Sequence, residues 1–191
     1  MNVLIIPEDF RNDQYVLKPI VEAMLKAAGK PHAKVIVCQD PLLGSVEQAL
    51  RWERIQEIIS RYQGMVDVFL LCVDRDGLPG RRSRLDELER QATEFAPSCR
   101  FFAENAWQEL EVWLLAGHDL PREWSWQEIR QERDPKERYF VPFARLRGVL
   151  NEPGGGRKSL ATEAAGRYSR IRSRCPEDIA ALEDRIRAGI V

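Results

Sequence analysis

Four short apolar runs, each separated from the next by a segment of helical length, constrain this chain more than any other feature. Val3-Leu4-Ile5-Ile6 is closed by Pro7, residues 34–38 read Lys-Val-Ile-Val-Cys, residues 66–73 form the strongest run, and residues 99–103 form the fourth. Between the first two, Val16, Ile20, Ala23, Met24 and Ala27 recur at helical spacing as far as Gly29, with Asn12 or Asp13 as cap and Pro19 early in the segment. Ser45 and Gln48 make a capping box for a second helix through Val46, Ala49, Ile55, Ile58, Ile59 and Tyr62, and Ser83 with Asp86 opens a third through Leu85, Leu88, Ala92 and Phe95. Strands joined through helices pair in parallel by right-handed crossovers, which predicts an α/β fold with a mostly parallel sheet flanked by helices. After Gly117 the pattern turns mainly helical, with Glu152-Pro-Gly-Gly-Gly156 reading as a flexible linker and Pro176 as the first position of a last helix.

At 191 residues the chain is long enough for one well-formed core, so residues 1–191 read as a single domain: an α/β core over 1–117 and a helical extension over 118–191. No stretch approaches the roughly 18 consecutive apolar residues of a membrane helix, and the start MNVLIIPEDF has no leader pattern, so a soluble, cytoplasmic protein without membrane contact is expected. The four cysteines (Cys38, Cys72, Cys99, Cys175) are too dispersed for a CxxC pair or a disulfide framework. The net charge of −1 hides an asymmetry, because residues 1–120 carry 14 basic against 19 acidic side chains while 138–174 carry nine basic against two acidic. The latter segment favours a polyanion.

Acidic residues gather where the apolar runs end: Glu8 and Asp9 after the first, Asp74 and Asp76 after the third, Glu104 after the fourth. A spacing of two sends Asp74 and Asp76 to one side of an extended strand end, where such a pair suits a hard cation such as Mg²⁺ or Mn²⁺. The alternative for Asp74-Arg-Asp76-Gly77 is a solvated turn. Further on, Asn105 and Gln108 form a capping box and Gly117 a stop, predicting a helix over 106–116 with Trp107, Leu110, Glu111 and Leu114 on one face. A carboxylate in that apolar stripe serves either a second metal position or an internal salt bridge to an arginine of the C-terminal half.

With an early strand ending in Glu8, a later one ending in Asp74-x-Asp76, the run Glu109-Leu-Glu111-Val-Trp113-Leu-Leu115 and the element Asp134-Pro135-Lys136, the chain resembles the Toprim domain family. Within it the likeness is to small stand-alone members related to RloB and to the OLD nucleases. The family usually has Gly after the glutamate, where this chain has Asp9. The resemblance covers the first 117 residues or so and implies a Toprim/Rossmann-like fold with divalent metal held by Glu8, Asp74 and Asp76. It further implies a second metal position at Glu111 with Glu109, Glu8 also serving as general base, and Lys136 stabilising transition-state charge or standing as a surface lysine. The implied activity is metal-dependent cleavage of DNA or RNA, and the implied setting is an effector subunit beside a separate ABC- or AAA-type ATPase in anti-phage defence.

Arg167, Arg170 and Arg174 fall at i, i+3 and i+7 of a helix and, with Arg157 and Lys158, are the candidates for tracking a phosphate backbone; a solvent-facing basic surface is the other reading. Gly154-Gly-Gly-Arg-Lys-Ser159 fails as a phosphate loop because Arg157 stands where glycine is required. His32 and His118 read as surface turn residues, and the group Trp107, Trp113, Trp124 and Trp126 as core or interface. Two other functions fit the same residues: a non-catalytic nucleic-acid or protein binding module with a structural acidic site, and a small phosphatase with Asp74 as nucleophile.

Overall fold

The computed structural model describes residues 1–190. Its strands β1 (Asn2–Pro7), β2 (Lys34–Val37), β3 (Val68–Asp74) and β4 (Arg100–Ala106) pair in parallel in the order β2-β1-β3-β4. The expected α/β architecture is therefore the observed one. β3 lies between two neighbours and is covered on both faces, which is why Val68-Phe-Leu-Leu-Cys-Val73 is apolar without alternation. Phe69, Leu71 and Val73 pack toward α3 (Trp52–Tyr62) and α4 (Arg81–Phe95), whereas Val68, Leu70 and Cys72 pack toward α1 (Phe10–Ala27). From β1 the chain steps outward to β2, then returns across β1 to β3 and β4. The connections thus diverge between β1 and β3, and the crevice at their carboxyl ends is where an open α/β sheet binds ligands.

The C-terminal half does not form a layer of its own. Helices α5 (Glu111–Ala116), α6 (Trp126–Gln131), α7 (Val141–Leu146), α8 (Arg157–Ala165), α9 (Tyr168–Arg174) and α10 (Ala181–Gly189) join α1 on one face of the sheet, with π-helical turns at Lys136–Phe140 and Pro176–Ala180 leading into α7 and α10. Leu160, Ala164, Ile171, Ile179 and Leu182 share one core with Val3, Ile5 and Leu70. Pro176 opens its turn, as the sequence predicts.

Several local expectations are corrected. Asp9, not Asn12 or Asp13, caps α1, its Oδ1 accepting from the Arg11 N–H at 2.9 Å. Ser45 caps as expected, but the chain breaks at Leu50 and Arg51, giving α2 (Val46–Ala49) and α3 in place of one helix. α4 starts at Arg81, two residues before Ser83. The 152–156 stretch is a fixed turn: Gly156 has φ +88°, and a Cβ there would lie 2.9 Å from the Val149 carbonyl oxygen. Most consequentially, the predicted helix over 106–116 is strand as far as Ala106, and only Glu111–Ala116 is helical. Asn105 is buried in β4, pairing with Val73, and Gln108 takes φ +75°, so neither serves a capping box. The strand wins because α10 and Arg185 cover the far side of β4: Arg185 Nη2 donates to the Ala103 carbonyl at 2.8 Å, and Arg185 with Arg82 neutralises Glu104. Glu104 is consequently a buried mid-strand residue rather than an acid at the strand end.

Candidate metal centre and its surroundings

Glu8 follows β1 and Asp74 ends β3, so the two carboxylates stand on either side of the point where the connections diverge. They are fixed by backbone amides. The Asp74 N–H donates to Glu8 Oε2 at 3.1 Å, and the Leu110 N–H donates to Asp74 Oδ1 at 2.8 Å, which leaves each side chain a second oxygen. Asp13, from the first turn of α1, joins them, with its Oδ2 accepting the Asp9 N–H at 2.8 Å. Burial, then the charges of Glu8, Glu111 and Asp13, push the Asp74 carboxyl well above the usual range. Burial likewise raises Glu8, with Asp76 and Asp9 adding repulsion, and lifts Asp13 to about 8, with Glu8 and Glu111 adding to it. A crowded cluster of carboxylates, each pushed upward by burial and by its neighbours' charge, is the electrostatic state that a divalent cation relieves.

Asp76 does not extend the strand as the spacing of two requires. The backbone turns to φ +53° at Asp76, and its exposed carboxylate accepts from Arg81 Nη2 at 3.1 Å. Gln108 holds this turn in place, its carbonyl accepting from the Arg75 and Asp76 N–H groups and its side chain from the Gly77 N–H at 2.9 Å. Among the described residues no three acidic, histidine or cysteine side chains converge closely enough to enclose an ion. The donor set of Glu8, Asp74 and Asp13 is nonetheless all carboxylate oxygen, which fits a hard cation that takes one or two protein ligands and keeps its waters.

Glu111 is buried beside Arg157, which donates to its Oε1 from Nε at 2.9 Å and from Nη2. The internal salt bridge is the arrangement present. Arg157, with its Nη1 on the Gly154 carbonyl at 2.7 Å and its guanidinium over Phe140, is 8% exposed, so it is not a surface contact for nucleic acid as expected. Glu109 accepts the Lys136 N–H at 2.8 Å and is raised to about 7, by burial first and by Glu111 among the charges. Lys136 Nζ lies 3.4 Å from Glu137. Lys158 is exposed beside Tyr15 and Lys18. Arg167 and Arg170 both reach Asp119, and Arg174 donates to the Ala116 and His118 carbonyls, so the three arginines close over the 116–119 segment, with Arg167 exposed and Arg170 and Arg174 half-buried.

Sequence reasoning missed three contributors: Asp13 as an acid of the cluster, Arg81 as the partner of Asp76, and Gln108 as the brace of the turn. Asp13 had a signal, since it sits in the first helical turn after a strand that ends in an acid. His118 is corrected as well, being fully buried with one ring nitrogen 2.9 Å from the Leu160 carbonyl oxygen, while His32 is exposed as expected. Of the tryptophans, Trp113 is core, whereas Trp107 and Trp126 line a cavity. All four cysteines are free, and among the described residues no helix is long and apolar enough to cross a membrane. No family model, no curated protein and no solved structure matches the chain significantly.

Proposed function

We propose that this chain is a Mg²⁺- or Mn²⁺-dependent phosphodiesterase acting on DNA or RNA, with its reaction centre in the crevice between β1 and β3. The observation that carries this reading is the meeting of Glu8 and Asp74 at the carboxyl edge of the sheet, where the Asp74 N–H donates to Glu8 Oε2 and where burial and neighbouring charge raise both acids and Asp13. Glu8 and Asp74 would hold the metal through the oxygens not engaged by backbone amides. Asp76 would join only by leaving Arg81. A bound divalent ion supplies a low-pKa water and a Lewis acid for the phosphoryl oxygen. Glu109, raised toward neutrality, suits proton transfer, and Lys136 stands beside it to receive negative charge. Glu111 acts in this scheme through Arg157 and its charge, not as a free ligand. The ATPase partner and the defence role enter through the family resemblance alone.

Titration calorimetry with Mg²⁺ and Mn²⁺, run beside cleavage of labelled DNA and RNA, tests the proposal. Glu8→Gln and Asp74→Asn should fold, lose metal binding and lose cleavage together. Metal binding unchanged in both variants would overturn it, and the acidic cluster would then be structural, as in a non-catalytic binding module.

A further inference from the structure

A well-defined cavity lies outside the acidic crevice. Its volume is about 430 Å³, and its walls include Trp107, Trp126, Gln127, Arg130 and Arg174. Trp107 is anchored at its backbone, where its N–H donates to buried Asp178 Oδ2 at 2.9 Å, and Trp126 by its indole N–H to the Arg174 carbonyl at 3.1 Å. The Trp126 ring and the Trp107 backbone are therefore held in place before any ligand arrives. Each carries an arginine: Arg75 lies 3.9 Å from the Trp107 ring centroid, and Arg174 lies 5.3 Å from that of Trp126. Arg130 also lies over Trp107, but Asp178 and Glu177 neutralise it. Arg75 and Arg174 differ, because among the described residues neither is within ion-pair distance of a carboxylate, and Arg174 is tied only to backbone carbonyls.

Two aromatic faces, one held through its indole N–H, with unneutralised guanidinium groups match one ligand chemistry well, a planar base carrying a phosphate. Stacking serves every base, and the arginines serve the phosphate. The cavity is also continuous with the acidic crevice along the chain. Trp107 lines the cavity, its neighbour Gln108 braces the turn of Asp76, and Arg75 sits between Asp74 and Asp76. We propose that the cavity between Trp107 and Trp126 binds one nucleotide of a single-stranded nucleic acid, base against tryptophan and phosphate toward Arg174 and Arg75. A strand seated there is led toward the acidic crevice. The choice of a nucleic acid rests on the phosphodiesterase reading; the aromatic and cationic walls do not.

The test is fluorescence anisotropy of a labelled ten-nucleotide single strand in EDTA, where no metal chemistry operates. Trp126→Leu should weaken binding at least about fivefold, the loss of one base-stacking platform, whereas Trp126→Phe should stay near the wild type. Gln127→Glu, an exposed helical position at which folding is not at risk, places a carboxylate on the cavity wall and should weaken binding to a similar degree. Wild-type affinity in Gln127→Glu, a preference for the matched duplex, or no binding of the strand by the wild type would each overturn the proposal. The two readings fail separately. A protein that binds the strand through this cavity yet cleaves with no divalent metal keeps the cavity and loses the activity. One that cleaves, while Gln127→Glu binds like the wild type, keeps the activity and loses the cavity.

Discussion

Replacing Glu111 by Gln probes the connection between the acidic cluster and the helical half of the molecule. Glu111 and Arg157 are 6% and 8% exposed, so removing one charge leaves the other in a low-dielectric site. Breaking a buried pair this way costs roughly 3 to 5 kcal/mol. Three features place this case toward the lower end. The glutamine oxygen still accepts one hydrogen bond, the Gly154 carbonyl still takes Nη1, and Phe140 still offers its face 4.7 Å from the guanidinium carbon. Losing the Glu111 charge also relieves Asp74 and Asp13. An expected loss of about 3 kcal/mol corresponds to a fall in melting temperature of about 6 to 12 °C for a domain of this size. Because Arg157 is the partner, the fall should be the same in EDTA and in Mg²⁺. Differential scanning calorimetry of Glu111→Gln, and of the double variant Glu111→Gln/Arg157→Met, checks this. The double variant should recover much of the loss, since a buried ion pair is replaceable by packed apolar groups. A melting temperature for Glu111→Gln within about 2 °C of the wild type in EDTA, less than the shift about 1 kcal/mol would give, would refute the dependence of Arg157 on Glu111.

Two further outcomes follow from the electrostatics and the packing. Asp13 is raised from 3.8 to about 8, so across that window the folded state holds a proton that the unfolded chain has released, and stability falls as pH rises by at most about 1.4 kcal/mol per unit for this one group. Melting temperatures in EDTA should therefore decline between pH 5 and 8, and Asp13→Asn should flatten the decline; a wild-type curve rising through that range would reject the crowded cluster. Gly117→Ala should cost about 1 to 3 kcal/mol in urea unfolding, because its Cβ would lie 2.6 Å from the Ala164 Cβ and 2.7 Å from the Ala164 Cα of α8, backbone that cannot give way. An unaltered midpoint would mean that α5 and α8 are not in close contact.

The sequence determined the parts of this protein that depend on local pattern. Apolar runs such as Val68-Phe-Leu-Leu-Cys-Val73, bounded by turn residues and separated by amphipathic segments, can satisfy their backbone and bury both faces only as strands of a parallel sheet. The same pattern put Glu8 and Asp74 at strand ends, because a strand's carboxyl end is set by where its apolar run stops. Tertiary structure decided what propensity left balanced. Residues 104–110 carry helix-capping signals, yet the ladder to β3 and the arginines over the edge keep Glu104–Ala106 extended, which turns an expected capping residue into a buried strand residue. Pairing across long separations was equally illegible. Whether Glu111 met a cation or an arginine depended on a turn at Gly154–Gly156 bringing Arg157 back, 46 residues later in the chain, onto α5. Asp13 became part of the acidic cluster for a similar reason: the cap of α1 fell on Asp9, which leaves Asp13 in the first turn with its carboxylate on the Asp9 N–H, among the charges of Glu8 and Asp74.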